Sequence, residues 1–422
     1  MKNSRLITSL LVLAGYFAYP QTPQKFTTYT GEDASFSAER LQRLDAFLQR
    51  MIEDKLAPNV VTFVAHRGKV VHHKSFGYSD IEKKKPLKKD DIFRLASQSK
   101  AVTSTALMIL FEEGKFLLDD PISKYIPAFK NPKVLETYDK DTHQYTTRPA
   151  KSEITIRHLL SHTAGIPYGN PLPGHPKFST LDFLPSVSDQ TLAQIIPLLG
   201  ERPLVADPGE KFIYGPNTDI VGHLIEILSG MNLADFLQKR IFEPLGMNDT
   251  YFFLPSTKAE RLVELYSLEK PGDLLSVHQV AGYRNYPLSK NRTLFLGGSG
   301  LVGTIEDYAK FCQMILNDGS FNGKQILSKK TLALMNQNQI GELEVWDRKD
   351  KFGLAYQIIT DKSQYADLAS VGSLTWGGMF STEYTIDPKE ELILLIYTNV
   401  DPYLYERELE RKFRILVYQA LK

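Results

Sequence analysis

A single cysteine, Cys312, stands among 422 residues, so no intramolecular disulfide holds this chain together. Its setting, "YAKFCQMIL", has helical apolar spacing, which makes it a small core residue rather than a nucleophile. Net charge is nearly missing as well. Lys+Arg 50 against Asp+Glu 49 leaves +1, which gives no electrostatic reason to expect nucleic acid or an anionic membrane as partner. The basic run "EKKKPLKKDD" (82–91) reads as a solvated loop. Internal repeats and long low-complexity tracts are lacking. The apolar stretch Leu6–Ala18 follows Lys2 and Arg5 and is shorter than the about 20 residues of a comfortable membrane span. It reads as a secretory signal peptide over residues 1–21, with a retained anchor as the competing reading. The expectation is an exported protein, periplasmic or secreted, with no stable membrane span after signal removal.

Two hydrolase signatures are also missing. The serine elbow G-x-S-x-G is not present; "GGSGL" (297–301) lacks its final glycine. His158 and His162 stand at i and i+4 without the glutamate of H-E-x-x-H, and His72 and His73 point to opposite faces of a strand. A Ser-His-Asp triad and a zinc centre are therefore not indicated, and neither metal nor cofactor is expected.

The patterns that are present place strands at both ends and helices between. Residues 36–53 have helical spacing, and "NVVTFVAHRGKVVHHKSFGY" reads as a hairpin turning at Arg67-Gly68. "TIRHLLSHTAG" has Thr155 as a candidate N-cap and Gly165 as a stop, and "TIEDYAKFCQMILNDG" opens on Thr304 in the same manner. Near the end, "FGLAYQIIT", "STEYTIDP" and "EELILLIYTN" read as strands and "YLYERELERKFRILVYQAL" as an amphipathic helix. This predicts an α+β fold, an α/β sandwich. One antiparallel sheet of about five strands is flanked by terminal helices, with a mostly helical lobe inserted. The domain would span 36–422, its sheet lobe about 36–114 and 341–422 and its helical lobe about 115–340.

Ser97-Gln98-Ser99-Lys100 puts a serine three residues ahead of a lysine, on one helix face. Such a pair should occur about twice by chance in a chain this long. A second copy, Ser267 to Lys270, is followed by Pro271-Gly272 and reads as a surface loop. The first copy opens a long apolar helix ending at Gly114. Desolvation there lowers a lysine's pKa and lets the amine take the serine proton. The competing reading is an N-cap serine with a snorkelling lysine. Tyr214, in a Gly/Pro-rich turn before a helix, and Trp376-Gly377-Gly378, in a strand where paired glycines imply a close approach to the backbone, favour a site.

Together "FRLASQSKAVTSTALMILFEEGKFLLDDPISKYIP", "ITIRHLLSHTAGI", "RIFEPLGMNDTYF" and "GGSGLVGTIEDYAKFCQMILNDG" resemble the serine β-lactamase and penicillin-binding-protein superfamily, in particular the class C β-lactamase-like serine hydrolases and their esterase branch. The resemblance implies Ser97 as nucleophile, Lys100 and Tyr214 as general base and acid, and the backbone N–H groups of Ser97 and Met379 as oxyanion hole. Trp376, Gly377 and Gly378 fall on the substrate-binding third motif. The lactamase lysine of that motif is tryptophan here, and position 216 is proline where the lactamases have asparagine. Asn217 comes one place later, and Asp219 matches an aspartate of the esterase branch, read as orienting the turn. The acyl-transfer machinery is retained while the lactamase carboxylate anchor is not, so a carboxylesterase acting on small esters is expected. A β-lactamase or D-amino-acid peptidase or amidase is the alternative, and a non-catalytic binder or sensor the alternative of another class.

Overall fold

The computed structural model describes residues 26–28, 35–175, 189–290 and 292–422. The segment read as a signal peptide lies outside the described residues. Strands β1 (Asn59–His66) and β2 (Lys69–Asp80) form the expected hairpin. Strands β3 (Leu374–Gly378), β4 (Thr382–Asp387) and β5 (Leu392–Tyr397) return from the other end of the chain. The sheet order is β2-β1-β5-β4-β3, all antiparallel, so β1 and β5 meet at its centre.

The sheet has nine strands rather than about five. Thr27–Thr28, Lys85–Pro86, Lys351–Phe352 and Gln357–Ile358 extend its edges, and Thr27–Thr28 runs parallel to β2. Two-residue strands are too short to show a period of two. "FGLAYQIIT" is therefore not one strand but a hairpin broken at Gly353. The Met335 carbonyl accepts from the Leu354 N–H (2.9 Å) and draws the chain out of the sheet.

Antiparallel strands usually alternate between core and solvent, yet β1 and β5 are buried throughout. The reason is that both sheet faces are covered. Val61, Phe63, Ala65, Ile393, Leu395 and Tyr397 face the large core shared with α2 (Ser99–Glu112) and α4 (Ile305–Leu316). Val60, Val64, Leu392, Leu394 and Ile396 face α1 (Ala38–Glu53) and α5 (Glu406–Tyr418). Continuous apolar strands are what two covered faces require.

Helix α2 is buried from Ser99 to Leu110 and is the axis of the molecule. It packs against α3 (Asn217–Ser229), which ends at Gly230 in the left-handed region, φ 71°. Thr155 and Thr304 both cap helices as expected. The helix after Thr155 stops at Leu160, well short of Gly165, because His162 itself turns left-handed (φ 55°). Ser267 belongs to a short strand, Tyr266–Leu268, rather than to a loop, and its hydroxyl donates to the Asp401 carbonyl. Among the described residues no single helix is long and apolar enough to cross a membrane.

Candidate active site

Ser97 lies in a 3-10 turn, Ala96–Gln98, that feeds α2. Where the turn passes into α2, residues three apart share one face, and Lys100 Nζ lies 3.2 Å from Ser97 Oγ. Ala96, just before the serine, has φ 44°. A left-handed alanine is strained, and here it sets the serine at the tip of the turn. Gln98 anchors the turn to the core: its carbonyl accepts from Tyr308 Oη (2.9 Å) and its side-chain oxygen from Tyr397 Oη (2.7 Å).

Lys100 is 3% exposed. Its remaining hydrogen bonds go to Tyr168 Oη at 2.9 Å and the Gly298 carbonyl at 2.7 Å. Every one of these partners is an uncharged oxygen. The neighbouring carboxyl, Asp219, is held one step away: its Oδ1 accepts from the Gly298 N–H (2.9 Å), so Gly298 is pinned from both ends. Burial raises the Asp219 pKa to about 6, against the pull of the Lys100 charge and the Gly298 hydrogen bond. Asp219 thus fixes the Gly298 turn, which carries a lysine acceptor, rather than the Tyr214 turn that its own segment suggested. Asn217 points elsewhere, with Nδ2 2.9 Å from His162 Nδ1. Burial and then the Lys100 charge hold His162 well below its usual range, so it is neutral. It packs against Tyr214, ring centroids 4.9 Å apart.

Tyr214 reaches the site through its ring face, with Lys100 Nζ 4.8 Å from the centroid. Its hydroxyl accepts from Trp376 Nε1 at 3.3 Å. The hydroxyl bound to Lys100 is that of Tyr168, which the sequence reading missed. Tyr168 sits in "GIPYGN", a Gly/Pro-rich turn carrying the same cue that singled out Tyr214.

Trp376 and Met379 border the cleft that holds Ser97, a cavity of about 330 Å³. Of the glycines between them, Gly378 is required by the fold itself. A Cβ on Gly378 would lie 2.3 Å from the Leu95 carbonyl oxygen and 2.6 Å from Thr382 Oγ1. The chain's own backbone, just ahead of Ser97, is what comes close. That contact sets the end of β3, and so Met379, beside Ser97. The resemblance assigns the oxyanion hole to the Ser97 and Met379 amides. Gly378→Ala is expected to cost at least about 2 kcal/mol of stability by overpacking and to depress activity with it. Thermal melting and ester turnover check this, and an unchanged variant would show that β3 is free to move.

Trp346 completes the wall. It stacks on Trp376 (5.3 Å, 27°) and meets Tyr214 edge-on (5.4 Å), although it is 45% exposed and has φ 47°. His158 lies in the Thr155 capping box and His162 binds Asn217. Among the described residues no group of three His, Cys, Asp or Glu converges as metal ligands would.

The beta-lactamase family pattern matches residues 44–419. The chain belongs to the beta-lactamase family. Within it, this beta-lactamase-family protein is 30% identical over 364 residues to Protein Rv1367c of Mycobacterium tuberculosis, covering 83% of this chain and 88% of that one. Esterase EstB of Burkholderia gladioli is 24% identical over 388 residues, covering 88% and 93%. Among solved structures, EstCE1, described as a hydrolase with promiscuous acyltransferase activity, superposes with a TM-score of 0.75 at 27% identity, covering 90% of this chain and 99% of that one. The fold is therefore that of the serine hydrolase superfamily, with esterase and acyltransferase relatives.

Proposed function

We propose that this protein hydrolyses small carboxylic esters through an acyl-enzyme on Ser97. The observation that carries the reading is the Lys100–Ser97 contact inside a buried ring of neutral oxygens. The three ammonium protons match three oxygens: Ser97, Tyr168 and Gly298. Once one proton is lost, the lone pair must face a donor. The Gly298 carbonyl cannot donate, which leaves the two hydroxyls. Lys100 then takes the Ser97 proton as Oγ bonds the ester carbonyl carbon. The oxyanion that forms is met by the Ser97 and Met379 amides. The C–O bond to the alcohol breaks, and the alkoxide leaves with the proton returned from Lys100, directly or through Tyr214 or Tyr168. Water then repeats the sequence, giving the acid and free Ser97. An alcohol in place of water gives acyl transfer by the same steps.

The wall opposite Ser97 favours esters over β-lactams. The third motif offers the stacked Trp346–Trp376 pair in place of a lysine, a flat apolar surface suited to an acyl or alkoxy group. p-Nitrophenyl butyrate is expected to exceed nitrocefin in kcat/KM by about a hundredfold. Faster nitrocefin turnover would make β-lactams the substrate, and faster cleavage of D-alanyl anilides would make it a peptidase.

A further inference from the structure

The cleft does not end at the tryptophan pair. It continues past Trp346 to Tyr365 and the start of α5, and its lining there is charged. Three guanidinium groups surround the Tyr365 ring: Arg407 at 4.9 Å, Arg411 at 5.5 Å and Arg348 at 5.8 Å from the centroid. Two of the four arginines in this lining are spent on the protein. Arg411 bonds Asp367 with two nitrogens, and Arg414 bonds Glu383 and Asp367. Arg348 and Arg407 are different. Among the described residues neither side chain makes a hydrogen bond or a close ion pair, although Arg348 feels the charges of Asp350 and Glu410 and Arg407 that of Glu406. Arg348 lies over the Trp346 ring at 4.9 Å, and Trp346 stacks in turn on Trp376. A guanidinium resting on an aromatic face is oriented while its N–H donors stay free, which is the state from which an oxyanion is bound at the lowest entropic cost.

Carboxylates line the same space, and burial disfavours their charged form. Burial, then repulsion from Glu383 and Asp401, raises the Glu406 pKa to about 7, against the hydrogen bond it accepts from Ser381. Burial and the charges of Glu383 and Glu406 raise Glu410 well above the usual carboxylate range. Asp350 is raised by burial as well.

We propose that Arg348 and Arg407 form an anion subsite in the Ser97 cleft, and that the ester taken there carries a free carboxylate remote from its scissile bond. The proposal rests on the reading of Ser97 as the acylated residue. The cation absent from the third motif is supplied from other elements: one from the loop that carries Trp346, one from the C-terminal helix. The stacked indoles hold the apolar span between carboxylate and reacting carbonyl.

Both tryptophans of the chain, Trp346 and Trp376, line this cleft, so intrinsic emission reports occupancy without turnover. The Ser97→Ala protein is titrated with monomethyl adipate and monomethyl suberate, each against its dimethyl ester. At least one half-ester is expected to bind about tenfold more tightly than its capped twin, the size of one charge-assisted contact. That ratio is expected to fall to about one in Arg348→Gln with Arg407→Gln. The Arg407→Gln single variant, which touches neither indole, is expected to fall between. Equal binding of both twins, no binding of either, tighter binding of a choline ester, or a ratio that survives the double variant overturns the subsite. Hydrolysis of p-nitrophenyl butyrate by the unaltered protein judges the Ser97 reading separately.

Discussion

Ser97→Ala is expected to lower ester turnover by at least about a thousandfold while shifting the melting temperature by no more than about 3 °C. The two numbers belong together. Ser97 Oγ contributes one contact to the structure, the 3.2 Å approach of Lys100, and Lys100 keeps Tyr168 and Gly298 when the hydroxyl is gone. The turn is held by Gln98, whose carbonyl and side chain both receive tyrosine hydroxyls. Its geometry therefore does not depend on the serine side chain. A fluorophosphonate adduct, seen as added mass on the intact parent protein, should be absent from the variant. Residual turnover near that of the parent would remove Ser97 from the mechanism. An unlabelled, inactive parent protein would favour a binder or sensor over an enzyme.

Lys100→Met is expected to lose at least about a thousandfold in turnover without lowering the melting temperature. A buried ammonium with only neutral oxygens as hydrogen-bond partners carries a desolvation cost that the Tyr168 and Tyr214 rings and the Asp219 carboxyl offset only in part. A thioether of similar length fills the space without that cost. Against this stands the Gly298 carbonyl, left unpaired at about 1–3 kcal/mol; Tyr168 has another interaction to retain. The balance is that of a residue kept for chemistry at the expense of stability. A fall of more than about 5 °C would show that the fold needs the three hydrogen bonds. The tyrosines separate in the same assay. The resemblance assigns proton transfer to Tyr214, so Tyr214→Phe should cost about a hundredfold. If Tyr168→Phe carries the loss instead, the hydroxyl that touches Lys100 in the structure is the proton carrier.

Much of the scaffold was readable because it rests on local chemistry. Thr155 and Thr304 cap helices, Gly114 and Gly230 follow helices in the left-handed region, and the hairpin turns at Arg67-Gly68. The serine–lysine spacing, too, is local. What escaped is what only tertiary packing creates. Tyr168 matters because α2 passes beneath its turn. Gly298 matters because Asp219 fixes it under Lys100. The glycine pair of β3 implies a close approach, and the nearest groups are the chain's own carbonyls, that of Leu95 at Gly378 and that of Thr382 at Gly377. Arg348 and Arg407 carry no motif at all. They become a pair only where the loop after Val345 meets the start of α5, and single residues on separate elements leave no spacing to detect.

The centre of the sheet joins the two ends of the chain: Val64 of β1 pairs with Leu394 of β5, and α1 packs on α5. During synthesis β1 emerges early and must wait for almost the whole chain before its partner exists. Until then the edge of β1 that faces β5 is uncovered, a state open to aggregation and to slow closure by non-local contact. Completion of the fold is tied to completion of the polypeptide, and the wall of the cleft formed by β3 and α5 is among the last parts to arrive. A chain cut short before β5 has the serine, the lysine and both tyrosines, but not the strand that joins the two halves of the sheet.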